Sequence, residues 1–325
     1  MRINQLRDFI AITEAGSIRA AARSLGVSQP AMTKSMRQLE DQLHVRLLER
    51  TAHGVVPTEA GRAFLARARA AQAELRKGEE ELAELTGDRA GAVAFGIGPF
   101  SGVLLVPDAL ACFRRDYPLA RVRIVEGIPH ALLPLVRDST LDFVVGRKVK
   151  LDAAVKYRPL FSIHLVVAGR RGHPLNHRQS LRELVDAPWL TGGDLLEETF
   201  VLARLSPPRS IVRCESNSVQ LGVLAKTDTL SFLPRPMLWD SFGREFLQEI
   251  PVTEQIPPLM LGMFTRAQTR LAPVAAAMAK ALSVSARSQA ARETARSKAG
   301  QQPDAKPVDA SARLRAGLRP PASGR

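Results

Sequence analysis

Cysteine is almost absent from this 325-residue chain, and the two present, Cys112 and Cys214, fall in an apolar helical stretch and a strand-like run. Neither a disulfide framework nor a thiolate zinc site can be built from them, so both are read as packed thiols. Long apolar runs are missing too: no stretch reaches about 18 uncharged apolar residues, the length of a membrane span. The start, MRINQLRDFIAITEAGS, has neither the apolar core nor the small-residue cleavage site of a signal peptide. No membrane partner is expected, and the cytoplasm is the expected location. Reactive-site patterns are equally scarce. GxGxxG does not occur, and GPFSG at 98–102 does not centre its serine as a GxSxG nucleophile elbow does. His173 and His177 stand four apart, but Gly172 and Pro174 interrupt a helix there, so no metal site is expected. Glu126, Asp142 and Glu215 are scattered, and no spacing selects a general-base pair. The chain is therefore expected to be no enzyme and to need no cofactor.

What is present is positive charge, +14 overall, in a chain of ordinary hydrophobic content. Its distribution matters more than its sum. Residues 1–60 carry eight basic against six acidic side chains, residues 61–91 six against six, and residues 286–325 nine against three. An anionic partner at the amino terminus must therefore be argued from helix faces, not from net charge.

Ile3, Leu6, Phe9, Ile10 and Thr13 recur at helical spacing, with Gly16 where that helix should stop. Ser17 then caps a short helix carrying Ile18, Ala21, Ala22 and Leu25 on one stripe. Gly26 supplies a turn, and Ser28 caps a third helix that tolerates Pro30 in its first turn. In that helix Met32, Met36, Leu39 and Leu43 face the core, which turns Gln29, Pro30, Thr33, Lys34 and Arg37 outward. Such a face suits duplex DNA, and Ser28 at its start is nominated as a DNA contact with these five. Arg37 matches a bidentate contact to guanine, Gln29 and Thr33 match base edges or phosphates, and Lys34 matches a phosphate. The unit as a whole is far more specific than its parts. HVRLLERTAHGVVPT then reads as a hairpin-like wing with Arg50 and His53 near its tip. Thr58 caps a long helix in which Phe64, Ala68, Ala71, Leu75, Gly78, Leu82 and Leu85 alternate at four and three residues. A seam this long and narrow calls for a second copy, so a dimer is expected.

From residue 92 the pattern becomes α/β, with strand-like AVAFGIG, RVRIVEG and LDFVVG alternating with helices near 102–116 and 129–138, which implies a parallel sheet. FSIHLVVAG, RSIVRCE, TLSFLP and PLMLGMF, with helices near 218–226 and 271–284, suffice for a second lobe. Residues 286–325 are rich in Ala, Arg, Ser, Pro and Gln and are read as a disordered basic tail.

GSIRAAARSLGVSQPAMTKSMRQLEDQL followed by LLERTAHGVVPTEAG resembles the amino-terminal domain of LysR-type transcriptional regulators. GHPL, LDFVVG, APWL and LSFLP resemble the effector domain of that family more loosely. The resemblance spans roughly residues 1–285. It implies a winged helix-turn-helix at 1–58, a linker and dimerisation helix at 59–88, and a two-lobed, periplasmic-binding-protein-like effector domain at 92–285. The first lobe would take 92–162 and 267–285, and the second 163–266. It further implies homodimers, often assembled as homotetramers, that bind double-stranded promoter DNA and answer to a small-molecule effector. RNA polymerase is a further partner consistent with it. His44 departs from the family's usual Gly at the end of the recognition helix, where a left-handed turn would be strained. Leu48 replaces a common Phe, His53 a frequent wing-tip Arg, and Pro57 an aliphatic strand residue that fits only at an edge.

Open α/β sheets bind ligands at the carboxyl ends of strands, where helices begin. Three such junctions are legible: GPFSG at 98–102, GIPH at 127–130 and ESNSV at 215–219. They nominate Pro99, Phe100, Ser101, Gly102, Gly127, Ile128, His130, Ser216, Asn217 and Ser218 as effector contacts. With Arg147 and Lys148 near by, an anionic organic effector is preferred. The rival readings are a structural, sequence-blind DNA-binding protein driven by the basic tail and, more weakly, an enzyme with an accessory helix-turn-helix.

Overall fold

The computed structural model describes residues 1–52, 54–85 and 91–299, so His53 and most of the basic tail lie outside the described residues. Met1–Ala290 forms one compact unit, and the described residues 291–299 belong to a second.

The first unit opens with α1 (Ile3–Ala15), α2 (Ile18–Ser24) and α3 (Gln29–Leu43), then a hairpin of β1 (Leu48–Thr51) and β2 (Gly54–Pro57). Local chemistry sets each boundary. Gly16 ends α1 at φ 61°, Ser17 accepts the Ala20 amide at the start of α2, and Ser28 accepts that of Ala31 at the start of α3. Phe9, Ile12, Met32, Leu39 and Leu47 are fully enclosed and form the core of this small domain. Ile3, expected on the stripe of α1, is exposed, and Ile12 takes a core place instead. His44 adopts the left-handed conformation at φ 53°, as the position requires. Pro57 pairs with Leu48 in a sheet of only two strands, where its missing amide costs little. The wing is tied down where the Val55 amide donates to Gly16 O at 2.8 Å, an approach so close that any Cβ on Gly54 would meet that carbonyl.

The long helix α4 (Glu59–Leu85) comes next, capped by Thr58, whose Oγ1 accepts the Gly61 amide. Beyond it come β3 (Ala92–Ile97), α5 (Ser101–Asp116), β4 (Arg121–Glu126), α6 (Pro129–Arg137), β5 (Phe143–Arg147) and β6 (Val155–Ile163). The chain continues through β7 (Leu165–Arg170), β8 (Trp189–Thr191), α7 (Leu195–Leu202), β9 (Ile211–Arg213), α8 (Asn217–Lys226), β10 (Ser231–Pro234), α9 (Ser241–Phe246), β11 (Leu247–Ile250), β12 (Leu259–Arg266) and α10 (Pro273–Ala299).

The first lobe is a five-stranded sheet of order β4-β3-β5-β12-β6, and it corrects two expectations. It is mixed, not parallel: β3 runs parallel to β4 and β5, whereas β12 is antiparallel to β5 and β6. Moreover, β12 belongs to this lobe, although the family resemblance puts residues up to 266 in the second. Short strands leave no sequence mark of their pairing partner, and a chain that leaves one lobe for another must send a strand back. FSIHLVVAG likewise reads as one run but serves two sheets, β6 ending at Ile163 and β7 beginning at Leu165. The second lobe sets β7 between β10 and β11, all antiparallel, beside the parallel pair β8 and β9.

A third correction concerns the tail. Residues 286–299 continue α10 and are not a disordered extension. Ala286 is fully buried, Ser285 Oγ donates to Leu105 O at 3.0 Å, and Gln289 Nε2 donates to Leu104 O at 2.9 Å. Pro107 sits inside α5 and lacks the amide that would bond Val103 O, one residue before the first of those two carbonyls. Small residues hold this contact by close approach, a mode that composition alone reads as low burial.

Ionic contacts seat α4 on the first lobe. Arg69 Nη1 lies 2.5 Å from Asp138 Oδ2, and Arg76 Nη2 lies 2.7 Å from Asp142 Oδ1, whose other oxygen accepts the Ala94 amide at 2.8 Å. Glu80 is buried beside them, and burial raises its carboxyl above the ordinary glutamate range against the opposing pull of the Ala92 amide and Arg76.

Candidate nucleic-acid interface and effector cleft

The outward face of α3 gathers Gln29, Pro30, Thr33, Lys34, Arg37 and Gln38 around one open groove of about 1070 Å³. Burial of Met32, Met36 and Leu39 forces this arrangement, because the opposite side of the helix must then meet solvent. Lys34 and Arg37 are exposed and make no ion pair among the described residues. Thr33 is half-buried and donates its hydroxyl to Gln29 O at 3.0 Å, so its methyl and a lone pair remain to face outward. Ser28 is spent on capping the helix. Gln38 is not among the residues that the sequence nominates, although it adjoins Arg37 and stands four residues beyond Lys34. Arg50 is exposed on β1, and His53 falls outside the described residues.

The wing depends on a carboxylate that hydrophobic patterning does not flag. Glu40 is 8% exposed, and its Oε1 accepts the Leu47 and Leu48 amides at 2.8 and 3.1 Å while Oε2 meets Arg46 at 3.1 Å. It stands four residues beyond Met36 and next to Leu39, so its place on the core side of α3 is open to inference from spacing.

The seam expected along α4 divides in two. Phe64 and Ala68 pack within the chain on the core of the small domain, with the Phe64 ring 5.6 Å from that of Phe9. Ala68 is buried and not free for a partner, whereas Phe64 is half-buried. Ala71, Leu75, Leu82 and Leu85 are exposed, Leu85 by 84%. By helical geometry these four lie on the side of α4 opposite Arg69, Arg76 and Glu80, which meet the first lobe.

A cleft of about 730 Å³ lies at the carboxyl ends of β3 and β5. Pro99, Phe100, Ser101, Ile128 and Arg147 line it from the first lobe. Phe100 holds φ 62°, a conformation that costs a non-glycine residue of order 1–3 kcal/mol and aims its ring and the start of α5. Ser101 is 3% exposed, and its hydroxyl has no intrachain partner among the described residues. Gly102, Gly127, His130, Ser216, Asn217 and Ser218 do not line the cleft, contrary to expectation. Gly102 lies against Ile97 and Gly127 against Leu132, and His130 is exposed. Ser216 and Ser218 are exposed and bond each other at 3.1 Å.

The second lobe instead reaches the cleft through Thr191, Gly192, Gly193 and Asp194 between β8 and α7, with Gln220 and Ser231 behind them. LTGGDLL is a strand end, a glycine pair and a helix start, the same signal as the junctions at 98–102, 127–130 and 215–219. Leu190, Leu196, Phe232, Leu259 and Leu261 complete apolar walls. Arg147 spans the lobes, its Nη1 2.9 Å from Glu198 Oε2 on α7. His173 is buried, with Nδ1 accepting the Leu175 amide at 3.1 Å, which gives it a place in a turn. Among the described residues no helix is long and apolar enough to cross a membrane.

Residues 3–62 match the family described as bacterial regulatory helix-turn-helix protein, lysR family, and residues 86–286 match the LysR substrate binding domain. The HTH-type transcriptional regulator GbpR of Azospirillum brasilense is 30% identical over 73% of this chain and 72% of its own length. The SDS degradation transcriptional activation protein of Pseudomonas sp. (strain ATCC 19151) is 30% identical over 85% and 94%. Among solved structures, full-length CbnR, a LysR family transcriptional regulator, superposes with a TM-score of 0.63 at 23% identity, covering 88% of this chain and 99% of that one. A full-length OxyR variant from Pseudomonas aeruginosa gives 0.67 at 23% identity over 88% and 95%, so the fold is shared along nearly the whole length. Two family domains in order, joined by the long α4, place this chain in the LysR family of bacterial helix-turn-helix transcriptional regulators.

Proposed function

We propose that this regulator works in the cytoplasm as a homodimer or homotetramer, reads promoter DNA with α3 and the wing, and responds to a small organic anion in the interlobe cleft. The observation that carries the first half is the outward face of α3, with Thr33, Lys34 and Arg37 set around one groove. A full-length relative of known structure is described as complexed with its target DNA, which supports the same use of this fold. Arg37→Ala should weaken binding to the selected operator by about 1–3 kcal/mol and relax preference at one base position. Lys34→Ala should instead weaken all sequences alike. Selection from a random duplex pool followed by anisotropy measures both, and an unchanged operator affinity for both variants would remove α3 as the reader.

Subunit pairing uses the exposed Ala71, Leu75, Leu82 and Leu85 of α4, for an apolar stripe at four-and-three spacing is dry only against another helix. The cleft favours a carboxylate or sulfonate on an apolar body. Its walls are aliphatic and aromatic, while Ser101, Ser231 and Arg147 supply donors. Binding that favours one lobe arrangement shifts subunit packing and with it the spacing of two α3 helices. Calorimetry with matched carboxylates and amines of equal size tests this, and a response confined to the amines would reverse the charge assignment.

A further inference from the structure

The first lobe carries a second groove, of about 1430 Å³, between the edge strand β6 and α10. Five cations surround it: Lys156 and Arg158 from β6, Arg270 from the loop before α10, and Lys280 and Arg287 from α10. All five are exposed, and no carboxylate lines the groove. Arg158 reaches Ser283 Oγ at 3.2 Å, whereas Lys156, Arg270, Lys280 and Arg287 have no carboxylate partner among the described residues. Charge on β6 alone would be ordinary, since edge strands are commonly blunted by Lys, Arg and Pro. That need does not reach the three cations contributed from α10 and its approach. Thr265 and Thr269 add hydroxyls to the same lining, so the polar groups present are those that hold phosphate oxygens.

Register places this groove toward the amino end of β5, the end at which α4 meets the lobe. Thr265 of β12 pairs with Lys156 and with Phe143, the first residue of β5. The preceding residue, Asp142, receives Arg76 of α4. The effector cleft lies at the other end of the same strands, around Arg147 and Leu261. The small reader domain, moreover, holds little of the chain's positive excess, eight basic against six acidic residues in 1–60 of a chain that carries +14 overall.

We propose that the β6–α10 groove is a second DNA contact, one that grips the phosphate backbone without reading sequence. Lys280 and Arg287 alone are separated by about 10 Å along α10, a length over which duplex DNA presents about six charges. The contact does not depend on α3 being the reader, because it concerns DNA of any sequence.

The test uses the full chain, a fluorescein-labelled duplex of about 40 base pairs of unrelated sequence, and a salt series from about 50 to 200 mM. Replacing Lys156, Arg158 and Lys280 together by Gln should lower the slope of log affinity against log salt by about two to three and weaken binding about 10-fold, since each phosphate contact contributes about 0.9. Lys280→Glu, a single exposed change on α10, should move both readouts the same way without disturbing the fold. The motif selected from a random duplex pool should be the same for wild type and both variants. Unchanged slope and affinity would overturn the proposal. So would a glutamate-rich peptide that binds wild type and is lost in the variants while DNA affinity stays put, for then the groove takes an acidic protein segment.

Discussion

Trp189→Ala should destabilise the second lobe by about 3–5 kcal/mol. Trp189 is fully buried on β8, its indole N–H donates to Leu184 O at 2.9 Å, and its ring meets Phe200 edge-on at 5.2 Å and Phe232 at 5.1 Å. Alanine would leave a cavity the size of an indole and take one of two donors from Leu184 O, which keeps the Ala187 amide at 3.2 Å, and aromatic pairs add about 0.5–1.5 kcal/mol beyond the area they bury. The damage should reach function by a short path. Leu190 and Thr191 come directly after Trp189, and they and Phe232 line the interlobe cleft proposed to take the effector. Denaturant unfolding should therefore show an early transition for this lobe, with effector binding lost while α3 still binds DNA. Trp189→Phe keeps most of the ring volume and should lose less than half as much. A cost below about 1 kcal/mol for the alanine variant would mean that this cluster does not hold the lobe.

Glu40→Ala should cost the reader about 2–4 kcal/mol and release the wing. One carboxylate oxygen takes two amides, Leu47 and Leu48, at the turn where the chain leaves α3 for β1. Removing it strands those donors, and the Leu47 site is buried, so water cannot replace the lost acceptor at no cost. Glu40→Gln supplies a neutral oxygen in the same place and should retain most of the stability, losing chiefly the charge contribution of Arg46. Hydrogen exchange at Leu47 and Leu48 reads the local effect, and operator affinity reads the consequence for DNA binding. Equal stability of the alanine variant and wild type would show that the wing is held by its other bonds, Val55 to Gly16 and Thr58 to Leu47 and Arg46.

Both sites show where the sequence speaks and where it falls silent. The caps at Ser17 and Ser28, the stop at Gly16 and the stripe of Met32, Met36 and Leu39 are legible because each is decided within about four residues of chain. The outward face of α3 then comes from that stripe by geometry alone. The first-lobe half of the cleft is partly legible for the same reason, since Pro99, Phe100, Ser101 and Ile128 stand at strand-to-helix junctions. The corresponding junction at Thr191–Asp194 carries the same mark but is hard to see, because β8 has only three residues and announces itself weakly.

By itself, then, the sequence determined the winged reader, its exposed face, the long α4 and the α/β character of the chain beyond residue 92, all matters of periodicity and capping. Only the tertiary structure decided that β12 returns to the first sheet, that Phe64 and Ala68 serve their own domain, and that Arg147 meets Glu198 across the cleft. It alone gathered Lys156, Arg270 and Lys280 around one groove. The physical reason is range: helix and turn preferences act between near neighbours, whereas strand partners and cross-lobe contacts join residues far apart in the chain, and no local energy term records them.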